Sequence, residues 1–183
     1  MDVSRDEAVV LHVRPYADSD AIVTLFTHAH GKAAMFMRGL RSAKRKHSLR
    51  PMYELSLELH KRPGSDLFVP QALDVVRPHL RLSEDLVRLA AASAVLEAYR
   101  DLFHEGDADA KAYQGLVEAL AMLESEPALT TLTRVLERLA AHIGYEAPRG
   151  AGLLADARAQ TEALEQVCGH RLTAHRFFLE VAE

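Results

Sequence analysis

The chain changes its hydrophobic period once. Over roughly its first 80 residues, apolar and polar positions alternate in short runs; beyond them apolar positions recur every three or four residues. "EAVVLHVRPY" places Val9, Leu11 and Val13 on one side of a strand, and "DAIVTLFTHAHGK" places Ala21, Val23 and Leu25 on one face of a second. His30-Gly31 reads as a hairpin turn into a third strand, "KAAMFMRG". "YELSLELHK" has the cleanest period of two, with Tyr53, Leu55, Leu57 and Leu59 facing one way and Glu54, Ser56, Glu58 and His60 the other. "RPGSD" is a turn by composition. "DLFVPQALDVV" then reads as a fifth strand, in which Pro70 marks an edge or a bulge.

Five short strands in succession suit a small closed barrel, and the OB-fold is the commonest five-stranded example. From Leu82 the pattern turns helical. Ser83 is placed to cap a helix running to about His104, with Leu82, Leu86, Leu89, Ser93, Leu96 and Phe103 near one stripe and Gly106 ending it. A second helix is expected from Ala110 to Glu124. A third is opened by Ser125-Glu126-Pro127 and stopped by Gly144. Two more follow the break "EAPRGAG", at about Leu153 to Val167 and Thr173 to Val181. The expected fold class is α+β multidomain: a five-stranded OB-fold β-barrel at residues 1–79, followed by an all-α helical domain at 80–183.

Composition adds a compartment and a charge asymmetry. The 183 residues suffice for a real core, and 49% hydrophobic with 26% charged residues is ordinary for a globular protein. No apolar run approaches a membrane span, and the polar, acidic start "MDVSRDEAVV" is no signal peptide. The single Cys168 excludes an internal disulfide framework and a multi-cysteine zinc site. Together these predict a cytoplasmic protein. The net charge of −4 hides a split. Residues 1–80 hold twelve Lys and Arg against nine Asp and Glu, and residues 81–183 hold ten against seventeen. Within the front part, "MRGLRSAKRKHSLRP" from Met37 to Pro51 carries Arg38, Arg41, Lys44, Arg45, Lys46 and Arg50 without one carboxylate.

That segment falls between the third and fourth strands, so it reads as a long exposed loop. Lysines and arginines there can reach phosphates and displace condensed counterions, which gives affinity without sequence choice. On a barrel whose loops commonly bind nucleic acid, this outweighs a merely solvated basic loop. The segment has no aromatic residue, so base-stacking partners would come from Phe36, Tyr53 or Phe68, each of which reads first as core. His28 and His30, with Asp18 or Asp20, form a weaker metal-binding candidate, for which a polar hairpin end is the better explanation. Cys168-Gly169-His170 has no third group nearby in sequence. There is no P-loop, dinucleotide fingerprint, G-x-S-x-G or H-E-x-x-H, and neither a catalytic constellation nor a cofactor is expected. An alternative reading is a protein–protein adaptor, in which the small-residue run "AAASA" at Ala90 to Ala94 permits close helix packing.

"VVLHVRPYADSDAIVTLFTHAHGKAAMFMRGLR" resembles the opening of the bacterial recombination mediator family RecO. The shared features are Pro15-Tyr16 with Asp18 and Asp20, Ile22 to Thr27, His30-Gly31-Lys32, and Arg38-Gly39-Leu40-Arg41. "HIGYEAP" and "CGHRLTAHRFF" resemble later phrases of the same family. The resemblance implies an OB domain followed by a helical domain, and a non-enzymatic DNA-repair function. It implies binding to single- and double-stranded DNA, strand annealing, and help in loading RecA onto DNA coated by single-stranded-DNA-binding protein. RecR and the acidic tail of the coating protein are the implied partners, with RecA indirect and the nucleoid the implied location. The implied DNA contacts are Lys32, Arg38 and Arg41, with Lys44, Arg45, Lys46 and Arg50 beyond them. Many family members carry a four-cysteine zinc module after the helical phrase. Here "GYEAPRG" passes almost directly to "AGLLADARAQTEAL", so a short form lacking that module is expected.

Overall fold

The computed structural model describes residues 3–40, 48–61 and 64–182. The chain forms two compact units, Met1–Pro78 with Phe103–Tyr113, and His79–Leu102 with Gln114–Glu183.

The first unit is a closed five-stranded barrel of β1 (Ser4–Tyr16), β2 (Asp20–Thr27), β3 (Gly31–Met37), β4 (Glu54–Lys61) and β5 (Phe68–Arg77). The order around it is β1-β2-β3-β5-β4, antiparallel except where β3 meets β5, and β1 pairs with β4 to close the ring. Closure depends on the length of β1. Its front half pairs with β4 and its back half with β2. A register shift between Val10 and His12 interrupts its pairing with β2. That bulge corrects the expected stripe of Val9, Leu11 and Val13. Before it Ala8 and Val10 face the barrel core, and the extra residue inverts the parity so that Val13 packs there afterwards. The other strands keep their simple alternation. Ala21, Val23 and Leu25, then Met35 and Met37, then Leu55, Leu57 and Leu59 fill the interior, with Tyr53 and Phe68 packed against them. Pro70 sits at a second register shift, opposite Leu59, where a missing N–H costs the ladder least.

The β2–β3 hairpin is fixed from two sides. Asp6 is buried. Its Oδ1 accepts the N–H groups of Glu7 and Ala29, at 2.8 and 3.0 Å, while its Oδ2 lies 2.7 Å from His30 Nδ1. Gly31 has φ +65°, and a Cβ there would fall 1.9 Å from the Asp107 carbonyl oxygen, so only glycine fits. On the barrel's outer surface Phe103 meets Phe26 edge-on at 5.0 Å, and Tyr113 meets His28 at 5.4 Å.

The second unit begins with a 3₁₀ turn, Leu80–Ser83. Its helices are α1 (Leu86–Leu102), α2 (Ala110–Leu123, whose first turn belongs to the barrel unit), α3 (Ala128–His142), α4 (Leu153–Cys168) and α5 (Thr173–Val181). Two expected caps are displaced. Asp85, not Ser83, caps α1. Its carboxylate accepts the Arg88 N–H at 2.8 Å, while the Ser83 hydroxyl donates back to the Leu80 carbonyl within the 3₁₀ turn. Pro127 is the N-cap of α3, and Ser125 turns instead to the Met122 carbonyl. The C-terminus of α3 is a Schellman motif. Gly144, at φ +83°, donates to Ala141 and Tyr145 donates to Ala140. Helix α1 also departs from the expected single stripe. Leu86 is exposed, whereas Ala90, Ala91, Ala92, Ala94, Val95, Leu96, Ala98 and Tyr99 are all buried. It packs against α3 and α5, so the "AAASA" run is consumed by the protein's own core. Among the described residues no helix is long and apolar enough to cross a membrane.

Two carboxylates tie α5 to its neighbours. The Glu97 carboxylate accepts the N–H groups of Thr173, Ala174 and His175 at 2.9, 2.9 and 3.2 Å, capping α5 from another helix. It also lies 3.0 Å from Nδ1 of the fully buried His175. Burial pushes this carboxyl up. The hydrogen bonds from the His175 ring and from the His175 and Ala174 backbones push it down further, leaving it below the ordinary carboxylate value. Glu165 similarly joins α4 to α5, taking the Leu172 N–H and a bidentate contact from Arg176.

Candidate nucleic-acid interface

The basic segment is tethered by its apolar residues. Leu40 and Leu49, near its two ends, are both buried in the barrel core. Arg41, Lys44, Arg45 and Lys46 lie outside the described residues. The flanks are defined. Arg38 is exposed in the turn that follows β3, and Arg50 is exposed just after the Leu49 anchor. The turn at Arg38 is held by Asp20, whose Oδ1 accepts the Gly39 N–H at 2.7 Å. An aspartate at that position orients the start of a cationic stretch, which a reading of net charge alone would miss.

Lys32 is not part of this cluster. It projects from the outer face of β3 at the strand's opposite end, about 20 Å from Arg38 at the usual rise per residue. Its backbone carbonyl accepts the Gly106 N–H at 3.0 Å. Its side chain lines a groove of about 650 Å³ with His30, Lys61, Phe68, Asp66 and Glu105. Lys61 in that groove is paired with Asp66 at 3.3 Å and lies 5.8 Å from the centre of the Phe68 ring. Its mixed charge, with Asp66 and Glu105 beside the lysines, makes the groove a poor site for a polyanion.

The strand register separates the candidate stacking residues. Tyr53 and Phe68 pack against the barrel core. Phe36 alternates with Met35 and Met37 and lies on the outer face, partly exposed. Ile22 pairs with Phe36 on one side and with Arg14 on the other, so the three share one row across β1, β2 and β3. Tyr16, at the end of β1, is 52% exposed and meets Phe36 edge-on at 5.8 Å. Sequence reasoning passed over Tyr16 because its position after Pro15 gave no signal of facing outward beside Phe36.

The other candidates are used structurally. His30 is bound by Asp6 and His28 packs on Tyr113, while Asp20 serves the Gly39 turn. Among the described residues no three histidine, cysteine or acidic side chains gather as metal ligands. Cys168 ends α4 before a left-handed Gly169. Burial, and then the charges of Asp101 and Glu97, push its thiol up, so it keeps its proton at neutral pH.

A closed barrel in this strand order, with a cationic segment leaving its third strand and a helical unit following, defines an OB-barrel protein with an appended helical module. Two family models match the chain: "Recombination protein O N terminal" over residues 1–79 and "Recombination protein O C terminal" over residues 83–148. The chain belongs to the RecO family of DNA repair proteins. It is similar to the DNA repair protein RecO of Anaeromyxobacter sp. (strain Fw109-5), at 34% identity over 131 residues, covering 70% of this chain and 51% of that protein. The RecO of Anaeromyxobacter dehalogenans (strain 2CP-1) is 35% identical over 139 residues, covering 75% and 55%. That of Geobacter sulfurreducens is 34% identical over 135 residues, covering 73% and 55%. The chain thus spans about half the length of the curated relatives it matches.

Proposed function

We propose that this chain is a non-enzymatic DNA-binding recombination mediator that acts in DNA repair at the nucleoid. Its domain at 1–79 docks the phosphate backbone of single- and double-stranded DNA through Arg38, Arg41, Lys44, Arg45, Lys46 and Arg50, with Lys32 as an outlying contact. Neutralised strands repel one another less, so complementary strands pair faster on the protein. Through its helical domain at 80–183 it works with RecR and the single-stranded-DNA-binding protein, and thereby assists RecA loading. The observation that carries this reading is the carboxylate-free basic segment, set on an OB barrel and anchored at both ends by buried leucines.

The test is annealing of two complementary labelled oligonucleotides, followed by energy transfer, with anisotropy of each strand measured alongside. Acceleration at low salt that fades as salt rises is expected. Neither acceleration nor a rise in anisotropy at micromolar protein would contradict the reading.

A further inference from the structure

The outer face of the three-stranded segment β1–β2–β3 is covered at one end and, among the described residues, partly exposed at the other. At the covered end Phe26 is fully buried and carries Phe103 on its ring. At the other end, among the described residues, Ile22 and Phe36 are partly exposed and Tyr16, against Phe36, is exposed, as are Arg14 and Arg38 beside them. Two aromatic rings held edge-to-face fix each other's orientation, so one π-face of the pair can meet a ligand without first being ordered. The flanking guanidiniums supply charge complementary to a polyanion, and the carboxylate-free segment starts at Arg38. Two carboxylates belong to the same corner, and Asp18, in the turn between Tyr16 and Asp20, is exposed. Asp20 pairs with Tyr16, but its Oδ1 is engaged by the Gly39 N–H.

We propose that Tyr16 and Phe36 form a base-stacking platform for single-stranded DNA, with Arg14 and Arg38 guiding the adjoining backbone. The proposal rests on the DNA-binding reading above and deepens it. The basic segment gives affinity for any phosphate backbone, whereas a ring can stack only on a base that is not already stacked in a duplex. The platform would therefore supply a preference for single strands that electrostatics alone does not.

The chain contains no tryptophan. Tyr16→Trp therefore installs a single fluorescent reporter at an exposed position, and binding is followed in parallel by anisotropy of a labelled strand. Quenching of the tryptophan by a single-stranded oligonucleotide at the concentration where anisotropy saturates is expected, with little quenching by a duplex of equal length. Tyr16→Ala should weaken single-strand affinity about five- to tenfold and duplex affinity less than twofold, leaving the salt slope unchanged because no phosphate contact is lost. Saturating anisotropy with an unquenched tryptophan would overturn the platform while leaving DNA binding intact. No anisotropy change would overturn both readings. A tryptophan emission shift that depends on protein concentration and not on DNA would assign the face to a second copy of the chain instead, and would also overturn the platform.

Discussion

The two units use charge differently. In the helical unit three acidic side chains, Glu97, Asp101 and Glu165, are at least partly buried and engaged internally, while Glu84, Glu118, Glu146, Glu162 and Glu180 are exposed. Glu97 caps α5, Glu165 grips Leu172 and Arg176, and Asp101 binds Arg100 at 2.8 Å. In the barrel unit Asp6 is comparably buried and engaged, but Arg14, Arg38 and Arg50 are exposed. Three of the helical unit's carboxylates thus act as internal fastenings, while three of the barrel unit's arginines are presented to solvent. Net charge per segment says only which sign prevails. Which unit can attract a partner electrostatically follows from where the charged groups point.

Four substitutions sharpen the contrast. The largest effect is expected in the barrel at Gly31→Ala, which forces a methyl against the Asp107 carbonyl at a positive φ. Chemical denaturation should show a loss of about 3 kcal/mol. Glu97→Ala should come next. It leaves three N–H groups at the start of α5 and a buried histidine without their acceptor, at a cost of about 2–3 kcal/mol.

The same carboxylate sets a pH dependence for the helical unit. Its folded-state pKa lies below its unfolded value, so its contribution is fully present above the ordinary carboxylate pKa and is lost as pH falls through the lowered folded value. Denaturation curves across the acid range should therefore show wild type losing stability faster than Glu97→Ala, the two converging at the acid end. Parallel curves would mean that Glu97 is not the linked group.

The smallest effects concern Asp20. Asp20→Asn keeps an acceptor for the Gly39 N–H and removes a negative charge beside Arg38. Asp20→Ala removes both charge and acceptor. If the turn orients the cationic segment, the Asn variant should bind single-stranded DNA about two- to fivefold more tightly than the Ala variant. Equal affinities would reduce Asp20 to a bystander charge.

Much of this architecture was legible in the sequence. The period of two in β2 and β4 located two strands and their inward faces, because strands with one buried face must alternate, whereas in β3 the strand was located but Phe36 was assigned to the wrong face. The Gly31 turn and the irregularity at Pro70 were readable for the same local reasons. In β1 the inference failed at the bulge, since one inserted residue leaves the composition unchanged and inverts every later side chain. At α1 the cap was misplaced because Ser83 and Asp85 are both good N-cap residues, and only the intervening 3₁₀ turn decides between them. The candidate site divided along the same line. A run of like charges is visible in one dimension, as is its position between two strands. The Tyr16–Phe36 contact is not, because it joins β1 to β3 across β2 and depends on registers that no local pattern encodes.

The central claim is that the segment from Arg38 to Arg50 holds a phosphate backbone. The most direct test is the affinity of wild type and of the triple variant Lys44→Ala, Arg45→Ala, Lys46→Ala for one labelled single-stranded oligonucleotide, measured across a range of salt concentrations. With four to six phosphate contacts, the wild-type plot of log affinity against log salt should slope at about −3 to −4, and the variant's should be flatter by up to about two units. A variant slope indistinguishable from wild type would contradict the account and place the phosphate contacts elsewhere on the chain.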